Sequence, residues 1–287
     1  MILTWPSPGK LNLFLYINGY RKDGYHELQT LIHFFNYGDK ITISTRLDNK
    51  INILNKIPGV KNNIILCAAK LLQNYCHNVL KYTKALGADI SCEKRLPIGG
   101  GLGGGSSNAA TTLIALNEHW STKVSDDVLA ELGKTIGADI PFFVKGKSSF
   151  AEGIGDVLTP VFLKENWYLI INNKIKISTK EIFLDPLLDR DSPKQQLSTL
   201  LINPYTNDCE NIVRKRFYKI DKLISWLLKY ATFRLTGTGS CIFSEFKTRS
   251  DALNLLNHLP TWIKSFLVKG INKSSLHEFR SKITNII

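Results

Sequence analysis

Apolar residues crowd into positions 10–17 (KLNLFLYI), between Pro8-Gly9 and Asn18-Gly19, which predicts a buried strand with a turn at either end. Residues 21–27 (RKDGYHE) are polar loop chemistry. Apolar character returns at 28–35, and Ile41 and Ile43 alternate with polar neighbours across 40–45, as in a half-buried strand. Ile64, Ile65, Ala68, Leu71, Leu72 and Tyr75 then recur at helical spacing behind Asn62 and Asn63, whose side chains suit an N-cap. Residues 88–95 (ADISCEKR) form a short alternating strand, 97–105 a loop with six glycines, and 106–119 a helix. A further helix begins at Ser125, with Asp126 and Asp127 placed at the positive end of its dipole, and ends near residues 133–137.

Beyond Phe150 the texture changes. Residues 167–172 (WYLIIN) read as a strand, 189–198 as a polar stretch, 217–230 as a helix, and 251–259 as a helix closed by Pro260 before a strand at 262–269. Strands and helices mix in an α+β manner, so the expected class is a two-domain α/β (α+β) protein divided into residues 1–160 and 161–287. A length of 287 residues, more than one hydrophobic core comfortably fills, agrees with two domains.

With 44% hydrophobic and 21% charged residues the composition is that of a globular protein, and no stretch reaches the apolar length of a membrane span. The N-terminus has no basic leader followed by an apolar stretch, so the cytoplasm is the expected location. Cys67, Cys76, Cys92, Cys209 and Cys241 lack Cys-x-x-Cys spacing and read as reduced, mostly buried thiols. The six histidines show no zinc-site spacing, so no protein-held metal is expected. A net charge of +13 would suit nucleic acid, but the lysines are dispersed and no aromatic-basic recognition motif accompanies them, so neither nucleic acid nor membrane is an expected partner. The densest basic cluster, Arg214 to Arg216, reads as a solvated helix face.

The run from Pro97 to Ala110 carries the chemistry. Glycines let backbone N–H groups approach an anion, and a helix starting at Ser106 points its unpaired N–H groups and positive dipole at the same place. Such a loop cradles phosphates. Ser106 or Ser107 suits either a cap or a metal-bound phosphate. A Walker A loop would need Lys after Gly105, where Ser106 stands. A dinucleotide fingerprint over Gly99, Gly101 and Gly104 lacks the later acidic residue on a second strand. A flexible linker would not sit between a strand and a well-patterned helix. By themselves Asp139 could be a turn residue and Lys10 a surface lysine at a strand start.

Residues 6–13 (PSPGKLNL), 97–110 and 235–240 (LTGTGS) together resemble the GHMP kinase superfamily in order and spacing. Residues 23–26 (DGYH) and 137–141 (GADIP) resemble its branch that phosphorylates a cytidine-diphosphate-linked polyol for non-mevalonate isoprenoid synthesis. The resemblance spans nearly the whole chain. It implies an N-terminal domain like domain 2 of ribosomal protein S5 and a ferredoxin-like C-terminal domain, with ATP and a small cytidine-diphosphate-linked substrate meeting between them. Magnesium would arrive with the nucleotide. ATP is expected on Pro97, Ile98, Gly99, Gly100, Gly101, Leu102, Gly103, Gly104, Gly105, Ser106 and Ser107.

The resemblance also implies that Asp139 faces the substrate hydroxyl as base, with Lys10 beside it. Tyr25 and His26 are expected at the cytosine, Asn12 at the polyol, Thr179 and Phe183 on the cytidine side, and Gly237 and Gly239 at the substrate diphosphate. One departure is Gly9, where the superfamily usually carries alanine. Remaining readings are another GHMP-type alcohol kinase acting on homoserine or mevalonate, and a non-catalytic nucleotide-binding protein. The expected assembly is a monomer or homodimer.

Overall fold

A computed structural model describes residues 2–55 and 63–284. A long antiparallel hairpin of β1 (Ile2–Tyr20) and β2 (His26–Arg46) is followed by β3 (Ile51–Ile53), α1 (Ile64–Asn78) and β4 (Gly87–Glu93). Three helices come next, α2 (Gly104–His119), α3 (Asp126–Lys134) and α4 (Ile140–Lys145), and then the short strands β5 (Ser149–Glu152) and β6 (Val157–Pro160). The second lobe opens with β7 (Trp167–Asn172), α5 (Thr179–Leu184), α6 (Leu197–Ile202), α7 (Asp208–Arg216) and α8 (Tyr218–Leu227). It continues with β8 (Arg234–Leu235), β9 (Ile242–Phe246), α9 (Arg249–His258) and β10 (Lys264–Ile271), and the chain returns to the first lobe as α10 (Ser275–Thr284).

The strands run in the order β3-β4-β2-β10-β7-β9-β8, with β1 and β5 also paired to β2. Strand β10 joins the lobes: it pairs along its length with β7, while Gly270 and Ile271 pair with Phe35 and Phe34 of β2. One core lies between the first-lobe strands and α1–α4, a second under the helices of the other lobe. A third is common to both, with Leu11, Phe14, Leu31 and Phe35 of the hairpin packed against Tyr168, Ile170, Phe243 and Val268. The expected boundary at 160 and 161 assigns α10 to the second domain, but its Leu276 and Ile283 belong to the first core. The apolar side of α10 is covered there, where Phe279 meets Trp5 edge-on at 5.1 Å and Arg280 pairs with Glu118 and Asp126.

Local sequence explains the elements around the site. Asn63 caps α1, its Oδ1 accepting from Ile65 N at 3.0 Å; Asn62 lies outside the described residues. The helix expected from Ser125 is α3, with Ser125 as its cap. Helix α2 is buried on nearly every side, because Ala109, Ala110, Thr111 and Thr112 are small enough to fit between the hairpin, α1 and α4. It starts two residues earlier than expected, at Gly104. Cys67 is exposed and the other four thiols are buried, all of them free. The basic cluster is tied down by acids: Arg214 pairs with Glu210 and Asp221, and Arg216 with Asp185.

Candidate active site

A cavity of 530 Å³ opens between the lobes, walled by the glycine loop, the hairpin, the start of α4, α5 and the loop after β8. Gly99, Gly101 and Gly103 all take positive φ, between 70° and 77°. At Gly101 this backbone is needed because a Cβ would run into the Thr236 carbonyl oxygen and lie 3.0 Å from that of Gly239. The loop is thus folded against its counterpart from the second lobe, and Cys241 N donates to Gly100 O at 3.1 Å. On the other side Lys10 N donates to Leu102 O at 3.1 Å, fixing the loop to β1.

Helix α2 begins behind Gly103 with no side-chain cap, so the first-turn N–H groups of Gly104, Gly105 and Ser106 face the cavity mouth without an intrahelical partner. With the helix dipole, they form a seat for anionic oxygens. Of the two candidate serines only Ser106 lines the cavity. Ser107 is buried, its hydroxyl 2.9 Å from that of Ser7 and its N–H donating to Gly103 O, so its role is to hold the helix on β1.

Lys10 is buried, and its Nζ lies 2.6 Å from Asn12 Oδ1 and 3.4 Å from Asp139 Oδ2. Asp139 stands at the N-cap position of α4, but its backbone is helical and its carboxylate makes no cap bond. The carboxylate, 40% exposed, is thus directed at Lys10 and the cavity. Asn12 is held on three sides: its N–H donates to Thr236 Oγ1 at 2.9 Å, its Nδ2 to Thr30 Oγ1 at 2.8 Å, and its Oδ1 accepts from Lys10. The departure at Gly9 has a cause in this chain. A Cβ there would overlap the Phe35 ring, which occupies the space an alanine would need.

The second wall holds Thr179, Phe183 and Gly237, with Thr179 Oγ1 2.9 Å from Thr238 Oγ1. Phe183 packs on His26 with ring centroids 5.0 Å apart. His26 is buried and does not itself line the cavity; its Nε2 accepts from Arg190 Nε at 3.0 Å, so the neutral ring carries its proton on Nδ1. Burial first, and then the Arg190 charge, push the His26 pKa down and keep it neutral. Tyr25 does not reach the cavity lining; it sits on the turn before β2 with its side chain 56% exposed. Gly239 also stays outside, its N–H donating to Thr236 O within the turn. Lys145 pairs with Asp127 on the surface.

Two residues at the site were not singled out in the sequence. Lys94, the residue after β4 and before the glycine loop, lines the cavity and pairs with buried Asp39, whose Oδ1 also accepts from Arg95 N and Leu96 N. Its signal was present as a cation just before the loop. Arg190 donates to Phe183 O and Asp185 O, each at 2.8 Å, and to His26, tying the α5 segment to β2. Nothing in the polar stretch 189–198 distinguished it.

A glycine loop at a helix N-terminus, opposed by a lysine–carboxylate pair in an interlobe cleft, defines a phosphoryl-transfer enzyme of the glycine-loop, non-Walker kind. The family described as "GHMP kinases N terminal domain" matches residues 63–147, and "GHMP kinases C terminal" matches 195–264. The chain belongs to the GHMP kinases and is an ATP-dependent small-molecule kinase with their two-domain fold. It is similar to the crystal structure of a 4-(cytidine 5'-diphospho)-2C-methyl-D-erythritol kinase, with TM-score 0.79, 27% identity, and coverage of 93% of this chain and 99% of that one. The Methanococcus jannaschii mevalonate kinase matches with TM-score 0.64 and 20% identity over 95% and 98% of the chains. Homoserine kinase from Cytophaga hutchinsonii matches with TM-score 0.62 and 17% identity over 96% of each. Among the described residues no helix is long and apolar enough to cross a membrane.

Proposed function

We propose that this kinase transfers the γ-phosphoryl group of ATP to the 2-hydroxyl of 4-diphosphocytidyl-2-C-methyl-D-erythritol, in non-mevalonate isoprenoid synthesis. The observation that carries the reading is the Lys10–Asp139 pair, 3.4 Å apart, in one cavity with the glycine loop and the Phe183 wall. Asp139 accepts the proton of the attacking hydroxyl as its oxygen bonds to the γ-phosphorus and the bond to ADP breaks. Lys10, oriented by Asn12, offsets charge on the transferring group. The N–H groups at the start of α2 hold the nucleotide phosphates, with Lys94 alongside. Magnesium arriving with the nucleotide would supply further charge neutralisation, and the Ser106 hydroxyl in the cavity lining would offer it an oxygen donor of the kind a hard cation prefers.

For the acceptor, the packed pair Phe183 and His26 suits a pyrimidine base, with His26 Nδ1–H as a hydrogen-bond donor to it. Tyr25, exposed on the adjacent turn, is an aromatic that can cover the base from outside. Gly237 opens a backbone path for the diphosphate beside Asn12. The test is a coupled ADP-release assay with Mg-ATP and the cytidine substrate, with homoserine and mevalonate in parallel. Turnover with the cytidine substrate alone is the expected result, whereas turnover only with another alcohol would discard this substrate.

A further inference from the structure

We propose that the second lobe carries a separate binding site for a small amphipathic anion, a molecule with an apolar body and a phosphate or carboxylate head. A cavity of 590 Å³ lies between α8, the segment after β7 and the turn before β10, and it shares no lining residue with the first cavity. Its volume falls in the range of small-molecule sites. The floor is apolar: Leu223, Trp226, Trp262 and Ile263 line it, the two indoles 6.5 Å apart. Trp262 is 69% exposed, a large hydrophobic surface to leave in water.

All the charged residues lining this cavity are lysines, Lys174, Lys219, Lys222 and Lys264, and no carboxylate joins them. None of the four forms an ion pair among the described residues, whereas Lys94, Lys134 and Lys145 do. An apolar floor under an uncompensated basic rim is complementary to an anionic head on an apolar body. A second copy of the chain fits poorly, because a two-fold axis through this patch would set lysines against lysines. The wall formed by the segment after β7 is fixed from behind: Asn173 Nδ2 donates to Ser240 O and Ser240 Oγ to Ile175 O.

The probe is octyl phosphate, kept monomeric and titrated into the full chain by calorimetry with the first cavity saturated by a non-hydrolysable Mg-ATP analogue. Octanol, inorganic phosphate and anionic-lipid vesicles serve as comparison ligands. One saturable site for octyl phosphate is expected, with octanol weaker and inorganic phosphate silent. Lys219→Ala/Lys222→Ala should weaken binding about fivefold, as for two exposed charge contacts, and Trp262→Ala about tenfold. Both variants should retain kinase activity, which reports that they fold. Unchanged affinity in both variants, equal binding of octanol, or attachment to vesicles without binding of the monomer would each overturn the proposal.

Discussion

Two glycines four residues apart, one in the loop and one in the first turn of α2, should respond in opposite ways to alanine. At Gly101 the backbone has φ +77°, a region that costs an L-residue about 1–2 kcal/mol. The new methyl group would also meet the carbonyl oxygens of Thr236 and Gly239, and forcing an extra carbon into packed surroundings costs about 1–3 kcal/mol. Backbone cannot swing aside as a side-chain tip can, so the two costs add to about 2–5 kcal/mol, or roughly 5–15 °C in melting temperature. At Gly105, the second residue of α2, nothing lies within 4 Å of a Cβ. Alanine there gains helix propensity of up to about 0.8 kcal/mol, so Gly105→Ala should be neutral or slightly more stable. Urea unfolding of both variants beside wild type gives the comparison, and ADP release shows whether Gly101→Ala also loses ATP turnover. Equal stability of the two variants would refute the argument that Gly101 is fixed by the loop from the second lobe.

Asp139→Asn should lower kcat by about a hundredfold or more with ATP affinity nearly intact, and near-normal turnover would remove Asp139 from the chemistry. Gly9→Ala should destabilise by about 1–3 kcal/mol, and combining it with Phe35→Leu should recover part of that loss; a purely additive double-mutant cycle would mean the Phe35 ring is not the obstacle. Arg190→Gln should raise KM for the cytidine substrate several-fold with little change in KM for ATP, because the residue holds Phe183 and His26 but does not line the cavity. Burial pushes His33 and His119 down to about 4, so the unfolded chain takes up protons below about pH 6.5 that the folded chain refuses until about pH 4. Stability should therefore fall as pH drops through that window, at roughly 1.4 kcal/mol per pH unit for each ring, and a flat melting temperature from pH 7 to 4.5 would contradict it.

The glycine loop, α2, α3 and β7 were legible because each rests on local chemistry: a run of glycines, acids in the first turn of a helix, and a short apolar run. The hairpin was legible only in part. Pro6, Pro8 and Gly9 read as punctuation, yet β1 runs through them from Ile2, since among the described strands β1 forms a ladder with β2 alone and an edge strand tolerates missing donors. Likewise 28–35 and 40–45 are one strand, β2, continuous across a polar stretch. The final strand was expected at 262–269 and lies at Lys264–Ile271, and α10, of weak amphipathic pattern, was not foreseen at all. In the site, Lys10 and Asp139 are 129 positions apart, and only their family resemblance suggested that they meet. Arg190 and Ser107 depended on which way a side chain points, a matter of tertiary packing that spacing does not encode.

Strand β10 pairs with β2 through Gly270 and Ile271 and with β7 through Lys264 to Lys269, so the two lobes are joined by adjacent ladders of one sheet. Wide opening of the lobes would have to part the Gly270–Phe35 and Ile271–Phe34 pairs, so the sheet resists a large hinge swing. Lys10 on β1 and His26 on β2 are fixed in that sheet, and it therefore sets how far apart the Lys10–Asp139 and Phe183–His26 pairs stand. If the first end holds the base as proposed, the cleft acts as a gauge of substrate length: an acceptor too short to span it is left with its hydroxyl out of reach, however well its base is bound.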